Sequence, residues 1–223
     1  MPIDLTRRAT EPEALDLGVP DQEARRSLAD LRSVNRWLGG QRALRDAIRP
    51  YLQPGSRLLD VGCGSADLPS FVTRCAPRPF LAVGVDLKLL HLKEAPSDVQ
   101  GVVADARALP FRPRTFDVVT ASLFLHHFDA PEVAAVLRAL YGLARRALIV
   151  NDLHRAHVPY AFVRSVFPFV MRSRVSVDDG LLSIRRAFTP RELAAAFAEA
   201  GIKEARIARR FPYRLVAVAE VEA

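Results

Sequence analysis

The sequence predicts an α/β protein in which a mostly parallel sheet is covered by helices on both faces. Two observations carry that prediction. Short hydrophobic runs with strand character alternate along the chain with segments of helical periodicity, the pattern of strand–helix units that stack side by side. The first of these runs, Leu58-Leu59-Asp60-Val61, leads directly into Gly62-Cys63-Gly64-Ser65-Ala66-Asp67, and the second, Phe80 to Asp86, ends on an acid. Glycine at alternate positions lets backbone approach a ligand closely, because it tolerates positive φ and has no side chain in the way.

Taken in order, residues 1–20 carry Pro2, Pro12 and Pro20 among mixed charges and are expected to form a loose arm. From Gln22 to Ile48, Leu28, Leu31, Val34, Trp37 and Leu38 recur at helical spacing, and Gly39-Gly40 divides the segment into two helices. Strands are expected at Arg57–Val61, Leu81–Val85, Val99–Ala104, Asp117–Ala121 and Arg146–Leu153. Helices are expected at Asp67–Cys75, Leu87–Ala95 and Pro131–Leu143, the last with proline in its first turn. Thr189-Pro190-Arg191-Glu192 opens a final helix with an N-cap and an N1 proline, and Gly201 stops it. Ile202 to Arg210 and Arg214 to Val221 then form an antiparallel pair joined at Phe211-Pro212-Tyr213.

At 223 residues the chain is long enough for one well-buried domain, expected over residues 21–223. No apolar run reaches the roughly 18 residues of a membrane span, and no apolar stretch follows Arg7-Arg8 as a secretory signal would require. Cys63 and Cys75 are the only cysteines, too few for a disulfide framework or a metal-ligand cluster, so a reducing cytoplasm is the expected compartment. The net charge of +7 comes with arginines spread along the chain and only Lys88, Lys93 and Lys203 as lysines. Without a basic block, this balance does not point to nucleic acid.

A dinucleotide-binding loop would carry a third glycine where this chain has Asp67, and an acid there would repel a pyrophosphate. A ligand without phosphate and with a positive charge suits such a loop. The ordered series of the glycine loop, Asp86 after the second strand, Asp105 after the third and Phe116 to Ala121 as the fourth resembles the class I S-adenosylmethionine-dependent methyltransferases. The likeness is to their small-molecule branch, similar to the ubiquinone and menaquinone C-methylases, whose loop is likewise followed by Asp-Leu. It covers Pro54 to Leu153 with specific motifs. It implies a three-layer, Rossmann-like, seven-stranded sheet, a helical lid over 21–50 and an acceptor-pocket insertion over 154–186. S-adenosylmethionine is the implied cofactor, contacted by Asp60, Gly62, Gly64, Asp86, Leu87, Asp105, Ala106 and Ser122. Asp86 would accept from two ribose hydroxyls, Asp105 from the adenine amine, and Leu87 would flank the ring. Two positions depart from the family pattern: Ala66 replaces a third small glycine, which costs little unless positive φ is needed, and Lys88 replaces a serine and is expected to face solvent.

Ser122-Leu123-Phe124-Leu125-His126-His127-Phe128 lies where the family places residues that touch methyl donor and acceptor, and His126 or His127 is the candidate general base. The same segment lacks the Asn/Asp-Pro-Pro-aromatic motif of amine methylases and the paired glutamates of arginine methylases. No metal is expected, because Asn151-Asp152 stands without the earlier aspartate of catechol-type sites. In the aromatic-rich insertion, His157, Tyr160, Phe167 and Met171 are the expected acceptor contacts, suiting a small apolar or aromatic molecule, quinone- or polyketide-like, methylated on a phenolic oxygen or an activated ring carbon. The same insertion, with Arg164, Arg172 and Arg174, also reads as a segment that touches a membrane surface. An RNA methylase and a methyltransferase-like binding module without catalysis are the alternatives.

Overall fold

The computed structural model describes residues 3–222; Met1 and Pro2 of the expected arm and Ala223 of the expected domain lie outside the described residues. The strands are β1 (Arg57–Val61), β2 (Leu81–Asp86), β3 (Gln100–Val103), β4 (Phe116–Ser122), β5 (Ala144–Leu153), β6 (Ala205–Arg210) and β7 (Arg214–Glu220). They form one sheet in the order β3-β2-β1-β4-β5-β7-β6. Neighbours from β3 through β5 pair parallel, while β7 inserts antiparallel between β5 and β6. The chain runs from β1 outward through β2 and β3, then returns to lay β4 on the other side of β1. Strand order therefore reverses between β1 and β4, the place where an open α/β sheet leaves a crevice at its carboxyl edge.

Alternate strand residues enter opposite layers, as a period of two requires. Leu59, Val61, Val119, Leu148 and Val150 pack with Val133, Leu137 and Leu140 of α6 (Ala130–Leu143) and with Leu193 and Phe197 of α9 (Pro190–Glu199). Leu58, Val118, Ile149 and Val216 pack on the other face with Leu44 and Ile48 of α3 (Gly40–Ile48), with Leu68 and Val72 of α4 (Asp67–Cys75) and, at the margin, with Leu92 of the short α5 (Leu89–Lys93). The helix starts follow the local sequence: α6 and α9 each open with a capping box, Asp129 with Glu132 and Thr189 with Glu192, and each has proline in the first turn.

The expected two-helix lid divides in function. α3 belongs to the core, whereas α2 (Asp21–Trp37) lies over the carboxyl edge, where Leu28, Leu31, Val34 and Asn35 face a cavity. The insertion after β5 forms α7 (His157–Val170) and α8 (Arg174–Arg186), which close a third apolar cluster around Val163, Phe167 and Ile184. Asp30 of α2 accepts from the backbone N–H groups of Arg172 and Ser173 (2.9 and 3.0 Å to Oδ2), tying the lid to the turn between α7 and α8.

The arm is not loose. It crosses the open edge as a strap containing the one-turn α1 (Ala14–Leu17). Asp179 of α8 accepts from the N–H groups of Ala14 (2.8 Å) and Leu15 (3.0 Å), and the Ser183 hydroxyl donates to Glu13 (2.6 Å). Arg8 reaches the carbonyls of Arg186 (2.7 Å) and Phe128 (2.9 Å), and its guanidinium stacks over the Phe188 ring at 4.1 Å. Lys88, expected in solvent, instead donates to the carbonyls of Leu15 and Asp16. These contacts come from α8 and the residues after it, from the turn after β4 and from the β2 edge, all remote in sequence, and turn a proline-bearing segment into a fixed cover.

Candidate active site

A cavity of about 460 Å³ occupies the crevice beneath the strap and α2. At one end is the glycine loop. Gly62 and Gly64 adopt φ of +69° and +54°, and a Cβ on Gly62 would lie 2.0 Å from the Phe124 ring. Ala66 also takes a left-handed conformation, φ +53°. The substitution for glycine is therefore made at a position that does need positive φ, at a strain of about 1–2 kcal/mol. That strain lets Ala66 turn the chain into α4.

Three carboxylates surround this loop. Asp86 accepts from the Gly64 N–H (2.9 Å, Oδ2) and the Lys88 N–H (2.8 Å, Oδ1). His91 Nδ1 also stands 3.1 Å from Oδ1; a carboxylate offers about four lone-pair sites, so acceptor capacity remains for a hydroxyl. Asp60 is buried and accepts from the Thr120 hydroxyl at 2.6 Å; burial pushes its carboxyl up to about 7, with Asp67 and Asp86 adding to the rise. Burial likewise pushes Asp67 up to about 6, against the amide of Asn35 (3.3 Å) and the charges of Arg32 and Arg214. The buried hydroxyl of Ser122 has no protein partner. These features fit a cationic, hydroxyl-bearing cofactor and oppose a pyrophosphate.

All eight residues expected at the cofactor face this cavity: Asp60, Gly62, Gly64 and Asp86 at the loop, Leu87, Asp105 and Ala106 beyond β2 and β3, and Ser122 at the end of β4. Asp105 is nonetheless engaged. Arg107 donates to it from Nη2 (2.8 Å), Nε (3.1 Å) and the backbone N–H (2.9 Å), which holds its carboxyl below the usual carboxylate range and uses most of its acceptor capacity. A dipeptide-range ion pair of this kind has no signature in the strand pattern that suggested the adenine contact.

His126 and His127 form the short turn after β4 and line the middle of the cavity. His126 is 2% exposed. Its Nδ1 lies 2.7 Å from Asp152 and its Nε2 3.4 Å from Glu13. Burial works against its charge, but Asp152 and Glu13 outweigh that cost and raise its pKa above the ordinary histidine value. His127 is more open, with Nδ1 2.6 Å from Asp16 and Nε2 3.9 Å from Glu13. Arg186, itself buried, fixes the turn by donating to the carbonyls of His126 (2.9 Å) and His127 (2.6 Å).

The far end of the cavity is apolar, lined by Leu31, Val34 and Leu38 from the lid and by Phe162, Val163, Phe167 and Met171 from the insertion. Phe167 and Met171 are where the sequence reading expects them. His157 and Tyr160 do not line the cavity: the stripe that does is Pro159, Phe162, Val163 and Phe167, at spacings of three and four, and His157 is exposed at the start of α7. Sequence reasoning missed Glu13, Asp16 and Arg214. The two acids sit in a segment without periodicity, and Arg214 is one arginine among many, although it is almost fully buried and burial lowers it to about 10.

Residues 58–147 match the family described as a methyltransferase domain. Over 141 residues the chain is 26% identical to a ubiquinone/menaquinone biosynthesis C-methyltransferase of Rhizobium leguminosarum, covering 58% of this chain and 54% of that protein. A demethylmenaquinone methyltransferase of Renibacterium salmoninarum is 28% identical over 179 residues, 76% of this chain and 69% of the relative. The crystal structure of a methyltransferase from Aquifex aeolicus dependent on S-adenosylmethionine superposes with a TM-score of 0.66 at 14% identity, covering 92% of this chain and all of that one. Sheet order and glycine loop give the chain the Rossmann-like fold of the solved methyltransferases, and its central residues 58–147 are similar to the methyltransferase domain family. Among curated proteins the chain is similar to the ubiquinone and menaquinone C-methyltransferases, although it spans only about half the length of several of the relatives it matches.

Proposed function

We propose that this chain transfers a methyl group from S-adenosylmethionine to a small, largely apolar aromatic acceptor, at a phenolic oxygen or an activated ring carbon. The observation that carries this reading is the continuity of the cavity. One space joins a carboxylate-ringed glycine loop to an apolar wall, with the histidine turn between them. The names of the relatives, which place them in ubiquinone and menaquinone biosynthesis, support a quinone-like acceptor.

When bound, S-adenosylmethionine supplies an electrophilic methyl group on a sulfonium, which leaves as a neutral thioether. Asp86 and Ser122 offer acceptors and a donor to its polar groups, and Asp60 and Asp67 place negative charge near its cationic end. The wall of Phe162, Val163, Phe167 and Met171 excludes water from the acceptor and fixes its plane. Alignment of nucleophile, methyl and sulfur is the main requirement of such a displacement. In the histidine turn both Nδ1 atoms are bound to carboxylates and both Nε2 atoms turn toward Glu13, so neither ring stands free as a simple base. The turn contacts the acceptor, which reacts as its phenolate or enolate.

The test is release of S-adenosylhomocysteine over a panel of phenols and hydroxyquinones. Phe167→Ala is expected to raise the acceptor KM several-fold and leave cofactor affinity unchanged. Cofactor binding without turnover across the panel would favour a non-catalytic module, and salt-sensitive RNA binding would favour the RNA alternative.

A further inference from the structure

We propose that Glu13, His126 and His127 form a binding site for a divalent transition-metal ion, of the zinc or iron(II) class, at the acceptor end of the cavity. The inference rests on the reading of the cavity as an acceptor pocket only for the ion's role, not for its binding.

The geometry comes first. Each of the three residues offers one ligand atom, and these atoms all lie within 4.8 Å of one another. Glu13 stands 3.4 Å from Nε2 of His126 and 3.9 Å from Nε2 of His127. An ion bound at about 2.0–2.2 Å by tetrahedrally disposed ligands holds those ligands about 3.3–3.6 Å apart. Glu13 Oε1 and Oε2 are within a few tenths of an ångström of that spacing from the two rings, and the remaining ligand pair, no more than 4.8 Å apart, closes with a small tilt of the rings.

The surroundings of the rings are the second observation. A metal-bound histidine normally donates its other ring N–H to a carboxylate or carbonyl, which fixes the tautomer and aims the free nitrogen. Both histidines here have that arrangement: Nδ1 of His126 meets Asp152 at 2.7 Å, and Nδ1 of His127 meets Asp16 at 2.6 Å. Two independent carboxylates, one from β5 and one from the strap, thus aim two Nε2 atoms at the same glutamate. Glu13 in turn is oriented by the Ser183 hydroxyl (2.6 Å), and the strap that carries it is anchored by Asp179. A solvated charge cluster has no need of this convergence.

Charge and access agree. Glu13, Asp16 and Asp152 supply three negative charges around the position of a doubly charged ion. Two histidines and one carboxylate leave a fourth position open, as in catalytic zinc sites and in iron(II) facial triads. Glu13, His126 and His127 all line the cavity, so that open position faces the acceptor. A metal there would take an acceptor oxygen as ligand, favour its ionised form, and clasp the strap over the pocket. The absence of a metal expected from the sequence is overturned in this proposal by Glu13, a carboxylate that arrives from the N-terminal strap, more than a hundred residues from the histidine turn.

The test uses the full chain, with any affinity tag removed, and Co²⁺ as the probe. One equivalent of Co²⁺ is expected to bind with visible d–d absorption, and Zn²⁺ to displace it. Glu13→Gln and His127→Gln are each expected to weaken Co²⁺ binding at least a hundredfold. Asp16→Asn, which removes only the group orienting His127, is expected to weaken it about 10–100-fold. Where a variant fails to fold, imidazole ¹⁵N spectra of the wild-type chain decide: Zn²⁺ should shift the Nε2 signals of two of its five histidines. No Co²⁺ absorption at millimolar metal, absorption retained in both folded ligand variants, or no paired histidine shift would overturn the site. Calorimetry with S-adenosylhomocysteine in excess chelator separates this outcome from the methyl-transfer reading, since cofactor binding there is expected to persist whether or not the metal site exists.

Discussion

Gly62→Ala tests the cofactor cradle most directly, because two costs at that position can be separated. The first is conformational: at φ +69° an alanine is strained by about 1–2 kcal/mol, less about 0.4–1 kcal/mol recovered from a less flexible unfolded chain. The second is steric, because the new Cβ would sit 2.0 Å from the Phe124 ring, and overpacking of this kind costs about 1–3 kcal/mol. Gly64→Ala supplies the control. Its φ is +54°, but its Cβ would meet only Leu28, at an ordinary 3.7 Å. Urea denaturation should therefore show Gly64→Ala losing about 1 kcal/mol and Gly62→Ala about 1–3 kcal/mol more. In a Phe124→Ala background that excess should disappear while the conformational part remains. Calorimetry with S-adenosylhomocysteine should show the single Gly62 variant losing affinity, because either the loop or the Phe124 ring must move. Equal losses for the two glycine variants, or an excess that survives removal of Phe124, would refute the argument.

Asp86→Ala should weaken S-adenosylhomocysteine binding by about 1.5–3 kcal/mol, the worth of hydrogen bonds to a charged group; unchanged affinity in calorimetry would remove the ribose assignment. Asp60 and Asp67 have carboxyls raised to about 7 and about 6, so both are largely neutral at pH 5 and ionised at pH 8. Sulfonium-bearing S-adenosylmethionine should then gain affinity relative to its neutral product as pH rises through that window. With a unit charge roughly 10 Å away at an effective dielectric of about 20, the change is about 1.7 kcal/mol, or roughly 17-fold, for each carboxylate that ionises. A pH-independent ratio of the two dissociation constants would contradict it, and Asp60→Asn should flatten the slope. The same raised carboxyls oppose folding stability as pH rises from about 4 to about 7, since the folded chain holds protons there that the unfolded chain has lost. Asp30→Ala leaves the buried N–H of Ser173 and the partly exposed N–H of Arg172 without their acceptor and should cost about 1–3 kcal/mol in denaturation, with faster hydrogen exchange at the turn between α7 and α8.

The strand–helix alternation, the glycine loop and Asp86 were legible in the sequence because each is local. A period of two assigns Leu58 and Leu59 to opposite layers before any partner is known, and a strand that ends in glycine and acid carries its ligand-binding edge with it. Pro131 in one first turn and the Thr189-Pro190 cap of another marked two helix starts for the same reason. What tertiary structure decided depends on residues far apart in the chain. The insertion of β7 between β5 and β6 follows from backbone pairing, which has no side-chain code. His126 is a buried partner of Asp152 and Glu13 because β5 and the strap meet at one edge. Glu13 and Asp16 had no visible role until Asp179, Ser183, Arg186 and Lys88 fixed that strap, and Asp105 was committed to Arg107 by side-chain reach that no strand pattern encodes. Local backbone chemistry sets what each segment can become, whereas the state of a charged side chain depends on which other charges the fold brings within a few ångströms.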